Sequence, residues 1–540
     1  MSLQFSARKK ARFGKKNVTL RLSLLSFIEL VGNNEEKNIN MDAINSVSVV
    51  PDDKSVCVLN VAPNDTDLVY YFSDARDCHH FITCLNGFRN GKTSKEEIEE
   101  DVAPEPLKLY IGSWNVGNET PCPRLEAWIP KKGNHMYVFG VQEATYSPRD
   151  GYSNSREDIR GALKMFLGES YEEIAFVDMM EIRLVIFIHS TYVDRISDVQ
   201  THTEATGIAH VVGNKGAVGC SMKYNGTKLC FINSHLAAHQ EKISARNDNF
   251  KEVVTNLKLG DPSIDILNQF DYLFWFGDLN YRINLPRPEV IRLVEEQNIS
   301  FLLDHDQLLD QREDLAAFVG FNEAEVTFPP TYRYIKGTSD YDPKKGRIPS
   351  WCDRILWKSA PNKRLLCTHY NHANSVNSSD HKPVYATFAL PTFRPLGCLS
   401  DPMDCHIRIS DLKGKNFPIM DLNGEADPYV IFKGECLDQP VRTSTIKNTR
   451  NPEWDDNDVP ALHPYITGSK SLSQHFITAC IYDYDALSPD DLIGYCMIPL
   501  TFATGLCLPQ PFECTVLQEG LPAGTLTGNL QIEYTMKQEE

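Results

Sequence analysis

The sequence predicts a chain of three folded parts, an α/β domain standing between two all-β domains. Three observations lead there. At 540 residues the chain exceeds what a single hydrophobic core organises. Buried-strand patterns alternate with helical stretches only over the middle of the chain. Segments rich in charge, Pro and Gly interrupt the pattern at 91–106 and 391–397. With 42% hydrophobic and 23% charged residues, the composition is that of folded globular protein.

At the N-terminal end, 18–31, 44–50, 55–62 and 68–72 are rich in branched and aromatic residues and separated by polar turns, which predicts antiparallel strands. Cys78, Phe81, Ile82, Leu85 and Phe88 then recur at helical spacing. A strand run closed by one helix resembles a pleckstrin-homology (PH) domain, although the tryptophan usual in that family's last helix is missing. This gives a PH-like β-barrel over 1–92 and an exposed linker over 93–106. From 107 to 393, strands such as LKLYIGSW, MYVFGVQE, RLVIFIH, LCFINSHL and YLFWFGDL alternate with longer helical stretches such as 240–259. From 402 to 538 the pattern is again all strand, as in HIRISDL and LQIEYTM, and reads as a β-sandwich.

The formal charge of -18 argues against a nucleic-acid binder, which needs Lys and Arg to displace counterions from phosphate. The charge is unevenly spread. Residues 1–21 carry seven basic side chains and no acidic one, whereas 401–540 carry 21 acidic against 9 basic. One end seeks anions and the other repels them. The 15 cysteines are scattered without a C-x-x-C pair and read as reduced thiols. With no signal-like or membrane-spanning apolar run, the expectation is a cytoplasmic protein that reaches membranes peripherally.

In the central part, polar residues recur at the ends of apolar strands: Asn115, Glu143, Lys215, His235, Asp278, Asn280, Asp353, Asp380 and His381. A carboxylate with an amide oxygen suits Mg2+, a hard cation that keeps waters and accepts phosphate oxygens. Asp278 and Asn280, two apart on an extended segment, would share a side, so that one takes a proton from a water the other orients. His381 paired with Asp353 would hold an imidazolium beside a transferring phosphoryl group. Attack by metal-positioned water is therefore preferred over a cysteine nucleophile.

WFGDLNYRI, PSWCDRIL and SDHKPV resemble, in that order, the signatures of the inositol polyphosphate 5-phosphatase family over 107–391. The resemblance implies the endonuclease/exonuclease/phosphatase fold, a two-sheet sandwich flanked by helices. It implies Mg2+ on Glu143 with Asn115 nearby, Asp278 activating water and Asn280 orienting it. It also implies that His381, paired with Asp353 and assisted by His235 and Asp380, contacts the scissile phosphate. Tyr332, Arg333, Lys345 and Arg347 match the family segment that grips a neighbouring 4-phosphate, with Arg333 where the family commonly has Lys. Lys215, Arg246 and Arg282 are further phosphate contacts on this reading. The implied substrates are PtdIns(4,5)P2, PtdIns(3,4,5)P3 and soluble Ins(1,4,5)P3. Two rivals stay open: a nuclease on the same fold, which the acidic balance opposes, and a catalytically dead membrane-binding scaffold.

In the acidic end, Asp421 and Asp427 in MDLNGEADPYV and Asp483, Asp485 and Asp491 in YDYDALSPDDLIG place five carboxylates in two loops. Such a concentration repels itself unless neutralised, and flexible oxygen ligands suit Ca2+. The spacing, with DPYV, NPEW and LIG around it, resembles a calcium-binding C2 domain. The implied partners are phosphoinositide lipids and an anionic membrane surface.

Overall fold

The computed structural model describes the chain apart from residues 1, 11–14, 24, 33, 51–52, 64–65, 74, 90–104, 122–123, 208–214, 393–402, 422–423, 466–471, 487, 502–507 and 537–540. Most of the expected linker and of the break after 391 thus lies outside the described residues. One compact unit comprises 105–392 with 517–522, and the other the remaining N- and C-terminal residues.

At the N-terminus, β1 (Ser2–Lys10), β2 (Lys15–Ser23), β3 (Ser26–Val31), β4 (Asn34–Asn40), β5 (Ile44–Val50), β6 (Asp53–Val61) and β7 (Thr66–Tyr71) form one antiparallel sheet ordered β4-β3-β2-β1-β7-β6-β5, followed by α1 (Ala75–Arg89). The sheet alternates as a half-buried strand must, with Val18, Leu20 and Leu22 of β2 inward. From α1, Cys78, Phe81, Leu85 and Phe88 enter the same core, Phe81 packing edge-on to Phe5 at 5.3 Å. The expected single strand at 18–31 is two, turning where Ser23 Oγ accepts from the Ser26 N–H at 3.2 Å. The basic start is itself strand β1. Lys9 donates to the fully buried Glu29 at 2.8 Å, and Glu29 also accepts from Tyr70 at 2.6 Å, so part of this positive charge is already neutralised.

The central unit holds β8 (Leu107–Asn115), β9 (Met136–Gln142), α2 (Ser155–Leu167), β10 (Tyr171–Met179), β11 (Ile182–His189), β12 (Ile196–Ala205), β13 (Gly216–Tyr224), β14 (Thr227–His235), α3 (Ile243–Asn256), β15 (Tyr272–Asp278), α4 (Arg287–Glu295), α5 (Ile299–Leu303), α6 (Gln307–Glu313), β16 (Asp353–Ser359), β17 (Leu366–His372) and β18 (Val384–Leu390). Two sheets, β10-β11-β9-β8-β18-β17 and β12-β13-β14-β15-β16, enclose a core that includes Ile111, Val138, Ile186, Val218, Phe231 and Phe274. Helices cover the outer faces. Ile159 and Leu163 of α2 pack beside Trp114 and Trp128, and Phe250 and Val253 of α3 pack beside Trp275 and Phe318. Asn154 caps α2, its side chain accepting from the Arg156 and Glu157 N–H groups, and the helix stops at Gly168 with φ 82. Truncating the fully buried Phe250 to Ala costs about 3–5 kcal/mol on the scale of such core deletions.

The strand directions decide where function sits. In each sheet one inner pair is parallel, β8 with β9 and β14 with β15, and the pairs flanking it are antiparallel, β9 with β11, β8 with β18, β14 with β13 and β15 with β16. Parallel strands covered on both faces read as unbroken apolar runs, which is why all seven residues of β9 and of β15 are buried. Two parallel pairs bring four carboxyl ends to one edge of the sandwich.

The C-terminal part is a seven-stranded curled sheet ordered β19-β25-β24-β23-β22-β20-β21, from β19 (Met403–Lys415), β20 (Pro428–Lys433), β21 (Val441–Arg442), β22 (Phe476–Asp483), β23 (Asp491–Pro499), β24 (Gln510–Gln518) and β25 (Leu521–Met536). Among the described residues no helix is long and apolar enough to cross a membrane.

Candidate active site

Asn115 ends β8, Glu143 follows β9, His235 ends β14 and Asp278 ends β15. The antiparallel neighbours start where these end. Asp353 opens β16 opposite Asp278, and Asp380 and His381 lie just ahead of Val384, which pairs with Ser113. Six strands of both sheets therefore deliver their polar residues to one place. Gly277 makes the approach possible. Its φ is +135, and a Cβ there would stand 2.0 Å from the Ser234 carbonyl oxygen.

Asp278 is the hub. Its Oδ2 accepts from Asn115 Nδ2 at 2.9 Å and lies 3.2 Å from His235 Nε2 and 3.9 Å from His381 Nε2. Burial alone would raise its carboxyl, but His235, His381 and Lys215 together hold it well below the usual range. His381 Nδ1 is 2.9 Å from Asp353 Oδ2, which also accepts from Thr331 Oγ1 at 2.7 Å. Burial would lower His381, yet the carboxylates of Asp353, Asp278 and Asp380 push it up to about 10, so the imidazolium is the resident form at neutral pH. Lys215 Nζ lies against His235 Nε2, and burial lowers it against the pull of Asp278 and Glu143.

Donor chemistry tests whether a hard cation fits. Asn115 Nδ2 bridges the Asp278 carboxylate and Glu143 Oε1, the latter at 3.2 Å, while Asn115 Oδ1 accepts from the Gly117 N–H at 2.9 Å. Asn115 thus turns its amino group to the carboxylates and ties Glu143 to Asp278. Two carboxylates sharing one amide form an oxygen-rich pair of the kind Mg2+ takes, and the buried Asp353 Oδ1 has no hydrogen-bond partner. Among the described residues, donor atoms of Asp278, Asp353 and His381 lie within 4.8 Å of one another.

Beneath these groups lies a polar network that sequence reasoning missed. Gln142 Nε2 donates to Ser113 Oγ at 3.2 Å and to Asn233 Oδ1 at 2.7 Å, and Asn233 Nδ2 donates to the carbonyls of Val141 at 3.2 Å and Arg183 at 2.8 Å. All three side chains are fully buried between the sheets. They sit one or two residues ahead of Glu143, Asn115 and His235, and so fix the spacing of the strand ends. Their signal was present as polar letters inside apolar strands.

The expected phosphate-gripping segment is only partly as foreseen. Tyr332 bridges Ser350 and His381, its ring 4.5 Å from the His381 ring and 4.4 Å from the Arg282 guanidinium. Arg333 pairs with Asp342 at 3.0 Å and approaches Asp380 at 3.5 Å. Arg347 meets His239 at 3.3 Å, and the Lys345 side chain lies outside the described residues. Lys382, unremarked in the sequence, is fully buried and donates to the Asn374 carbonyl at 3.0 Å and the Val376 carbonyl at 3.2 Å, tying the His381 loop down.

Two expectations need correction. Arg246 is fully buried, donating to the carbonyls of Ala237 at 3.1 Å and His239 at 2.7 Å and to Gln307 at 2.7 Å. It braces the loop after His235 through both Nη atoms, and only its buried Nε is without a partner. Asn280 does not continue an extended segment, because its φ is +59. Its Nδ2 donates to the Leu236 carbonyl at 3.1 Å and its Oδ1 accepts from Arg282. Its side chain is thereby committed to the scaffold.

In the C-terminal sheet, Pro428 and Asp491 both pair with Asp483, so the two acidic loops emerge together. Burial raises the Asp483 carboxyl, and the charges of Asp421, Asp485 and Asp427 add to it, placing these four within electrostatic reach. Asp427 Oδ1 accepts from the Asn448 N–H at 2.8 Å. Asp491 is exposed, and Asp490 beside it is occupied by Tyr429 at 2.6 Å and the Asp485 N–H at 3.0 Å. Cys436 and Arg442 stand at C-x5-R spacing here. Cys436 is fully buried in the sheet's core and Arg442 stacks on Tyr429 at 3.8 Å, so the pair forms no phosphate loop.

Residues 112–387 match the Endonuclease/Exonuclease/phosphatase family 2 and residues 405–512 match the C2 domain. Phosphatidylinositol 3,4,5-trisphosphate 5-phosphatase 1 of Homo sapiens is 31% identical over 503 residues, 87% of this chain and 40% of the relative. Phosphatidylinositol 3,4,5-trisphosphate 5-phosphatase 2 of Canis lupus familiaris is 30% identical, over 86% of this chain and 38% of the relative. The chain thus spans about two fifths of the length of these relatives. Among solved structures, the inositol polyphosphate 5-phosphatase domain of SPsynaptojanin, with inositol (1,4)-bisphosphate and calcium, is 30% identical at a TM-score of 0.49, covering 58% of this chain and 90% of that one. This chain belongs to endonuclease/exonuclease/phosphatase family 2, where its curated relatives are inositol phospholipid 5-phosphatases, and it carries a C2 domain behind the catalytic fold.

Proposed function

We propose that this chain removes the 5-phosphate of PtdIns(4,5)P2 and PtdIns(3,4,5)P3, with soluble Ins(1,4,5)P3 as a third substrate, at the cytosolic face of a membrane. The observation that carries the reading is the pairing of His381 with Asp353 beside Asp278, which presents an imidazolium next to an ionised carboxylate at the meeting of six strand ends. The names of the relatives support PtdIns(3,4,5)P3 among these substrates.

Glu143, with Asn115 bridging it to Asp278, would hold Mg2+, which when bound neutralises phosphate charge and polarises a water for attack. Asp278 accepts the proton of the attacking water. His381 donates to a non-bridging oxygen of the scissile phosphate, and Asp353 keeps the imidazole charged and oriented through Nδ1. Because these groups titrate together, the pH profile reports the cluster and not one residue. Lys215, Arg282 and Arg333 supply positive charge to the substrate, and the half-buried Arg347, whose Nε has no partner, supplies it to the 4-phosphate. The C2 aspartates would hold Ca2+ and so convert a negative loop tip into a bridge to anionic lipid. The PH-like domain over 1–92 adds a second membrane contact, and two weak linked contacts gain by effective concentration.

The test is phosphate release with Mg2+ from vesicles of each lipid and from soluble Ins(1,4,5)P3, with the product isomer identified. Loss of the 5-phosphate that stops on chelation is expected. Release of another phosphate, or of none, overturns the reading.

A further inference from the structure

Away from the acidic loops, the C2 sheet carries a pair of imidazoles that neither catalysis nor calcium uses. The Ile407 N–H donates to the Leu462 carbonyl at 2.9 Å and the Leu462 N–H donates to the Ile407 carbonyl at 2.9 Å. Residues that exchange both bonds are a hydrogen-bonded antiparallel pair, so His406 and His463, one step outward on each strand, face each other at a non-hydrogen-bonded position. There the Cα atoms approach to about 4.5 Å and side chains lie closest. Their Nδ1 atoms are 3.0 Å apart, with ring centroids at 4.9 Å and ring planes at 87°. His463 is exposed and His406 half-buried. The backbone is held from the far side as well, the Asp438 N–H donating to the His463 carbonyl at 2.9 Å. The nearby cation Arg408 is already paired with Glu533 at 3.1 Å.

Two imidazole nitrogens this close share either one proton or one cation. Imidazole nitrogens bind zinc at about 2.0–2.1 Å, and two of them at a tetrahedral angle are separated by about 3.3 Å, a few tenths of an ångström beyond the distance here. We propose that His406 and His463 form a surface site for a borderline divalent transition ion, Zn2+ or Cu2+, with its remaining positions open to water. Copper binds the tighter of the two by the usual order of divalent affinities. Mg2+ and Ca2+, which seek oxygen, do not compete for it. A bound ion pins edge strand β19 to the segment around Leu462.

The experiment is Zn2+ titration by calorimetry on the untagged full chain in excess Mg2+ and Ca2+, comparing it with His406→Gln, His463→Gln and a control, His305→Gln. Beside whatever zinc the catalytic cluster takes in all four proteins, one zinc-binding step should be present in the parent and control and at least tenfold weaker in each of the other two, with unchanged unfolding temperatures when no zinc is present. Identical isotherms in all four overturn the proposal. Cu2+ electron paramagnetic resonance gives a second readout: two equatorial nitrogens that His463→Gln reduces are expected, and an oxygen-only signal, or a nitrogen signal that His463→Gln leaves unchanged, overturns it.

Discussion

Replacing Asp353 with Asn tests the electrostatic core of the proposed mechanism, because it removes the charge beneath His381 with almost no change of shape. The imidazole moves from its ordinary 6.5 to about 10 in this site, which corresponds to roughly 4–5 kcal/mol between its charged and neutral forms, with Asp353 the largest attractive contributor. Burial raises the Asp353 carboxyl and offsets part of this, so a net loss of about 3 kcal/mol is expected, at the low end for breaking a buried pair. The sign follows from the direction of the His381 displacement. A group raised in the folded state contributes fully below its unfolded value and loses that contribution as pH climbs through the folded one. The stability gap between parent and variant should therefore be widest near pH 6 and close toward pH 10. Denaturant unfolding in chelator, followed by tryptophan fluorescence, reads this gap for the catalytic domain, since Trp114, Trp128, Trp275, Trp351 and Trp357 lie there and only Trp454 lies in the C2 domain. Turnover should fall by about 10²–10⁴-fold. A gap that stays constant from about pH 6 to pH 10, or a variant with parental turnover, would show that His381 does not draw its charge from Asp353.

Asp278→Ala should abolish turnover on every substrate while the chain still folds, which circular dichroism beside the phosphate assay decides. Asn233→Leu leaves the Val141 and Arg183 carbonyls and Gln142 Nε2 short of partners, costing about 3 kcal/mol or more at roughly 1–3 kcal/mol for each buried group. If the network spaces the strand ends, the Mg2+ concentration for half-maximal activity should also rise in that variant, which a purely structural loss would leave in place. Asp483→Asn combined with Asp485→Asn should remove calcium-dependent sedimentation with anionic vesicles, and unchanged sedimentation would remove calcium from the account of the C2 loops.

Legibility in the sequence followed the range of the forces involved. Helix α1 was readable because Cys78, Phe81, Leu85 and Phe88 obey a local period, and β9 and β15 because strands covered on both faces are continuously apolar. The strand-end residues were readable as polar letters at the ends of such runs. What could not be read was the partner of each polar group. Arg246 looked like a phosphate ligand because its type is right, and only the fold shows its guanidinium spent on carbonyls of its own loop. The basic N-terminus likewise needed Glu29, twenty residues beyond Lys9, to show that part of its charge is satisfied within the sheet. Asn280 failed for a backbone reason, since the chain turns left-handed at that residue and the two-residue alternation of a strand no longer applies.

A site crowded with acids stays assembled before substrate arrives because each acid is held from a different strand. Asp278 and Asp353 face each other in register across β15 and β16, an arrangement that isolated carboxylates would push apart. His381 stands within reach of both, Asn115 ties Asp278 to Glu143, and the Gln142 and Asn233 amides fix the sheets beneath them. Each acid is thus held by a group anchored on a different strand, so none can relax without displacing another. Reorganisation that would otherwise accompany phosphate binding has been completed during folding, which is the condition under which an electrostatic site lowers a barrier.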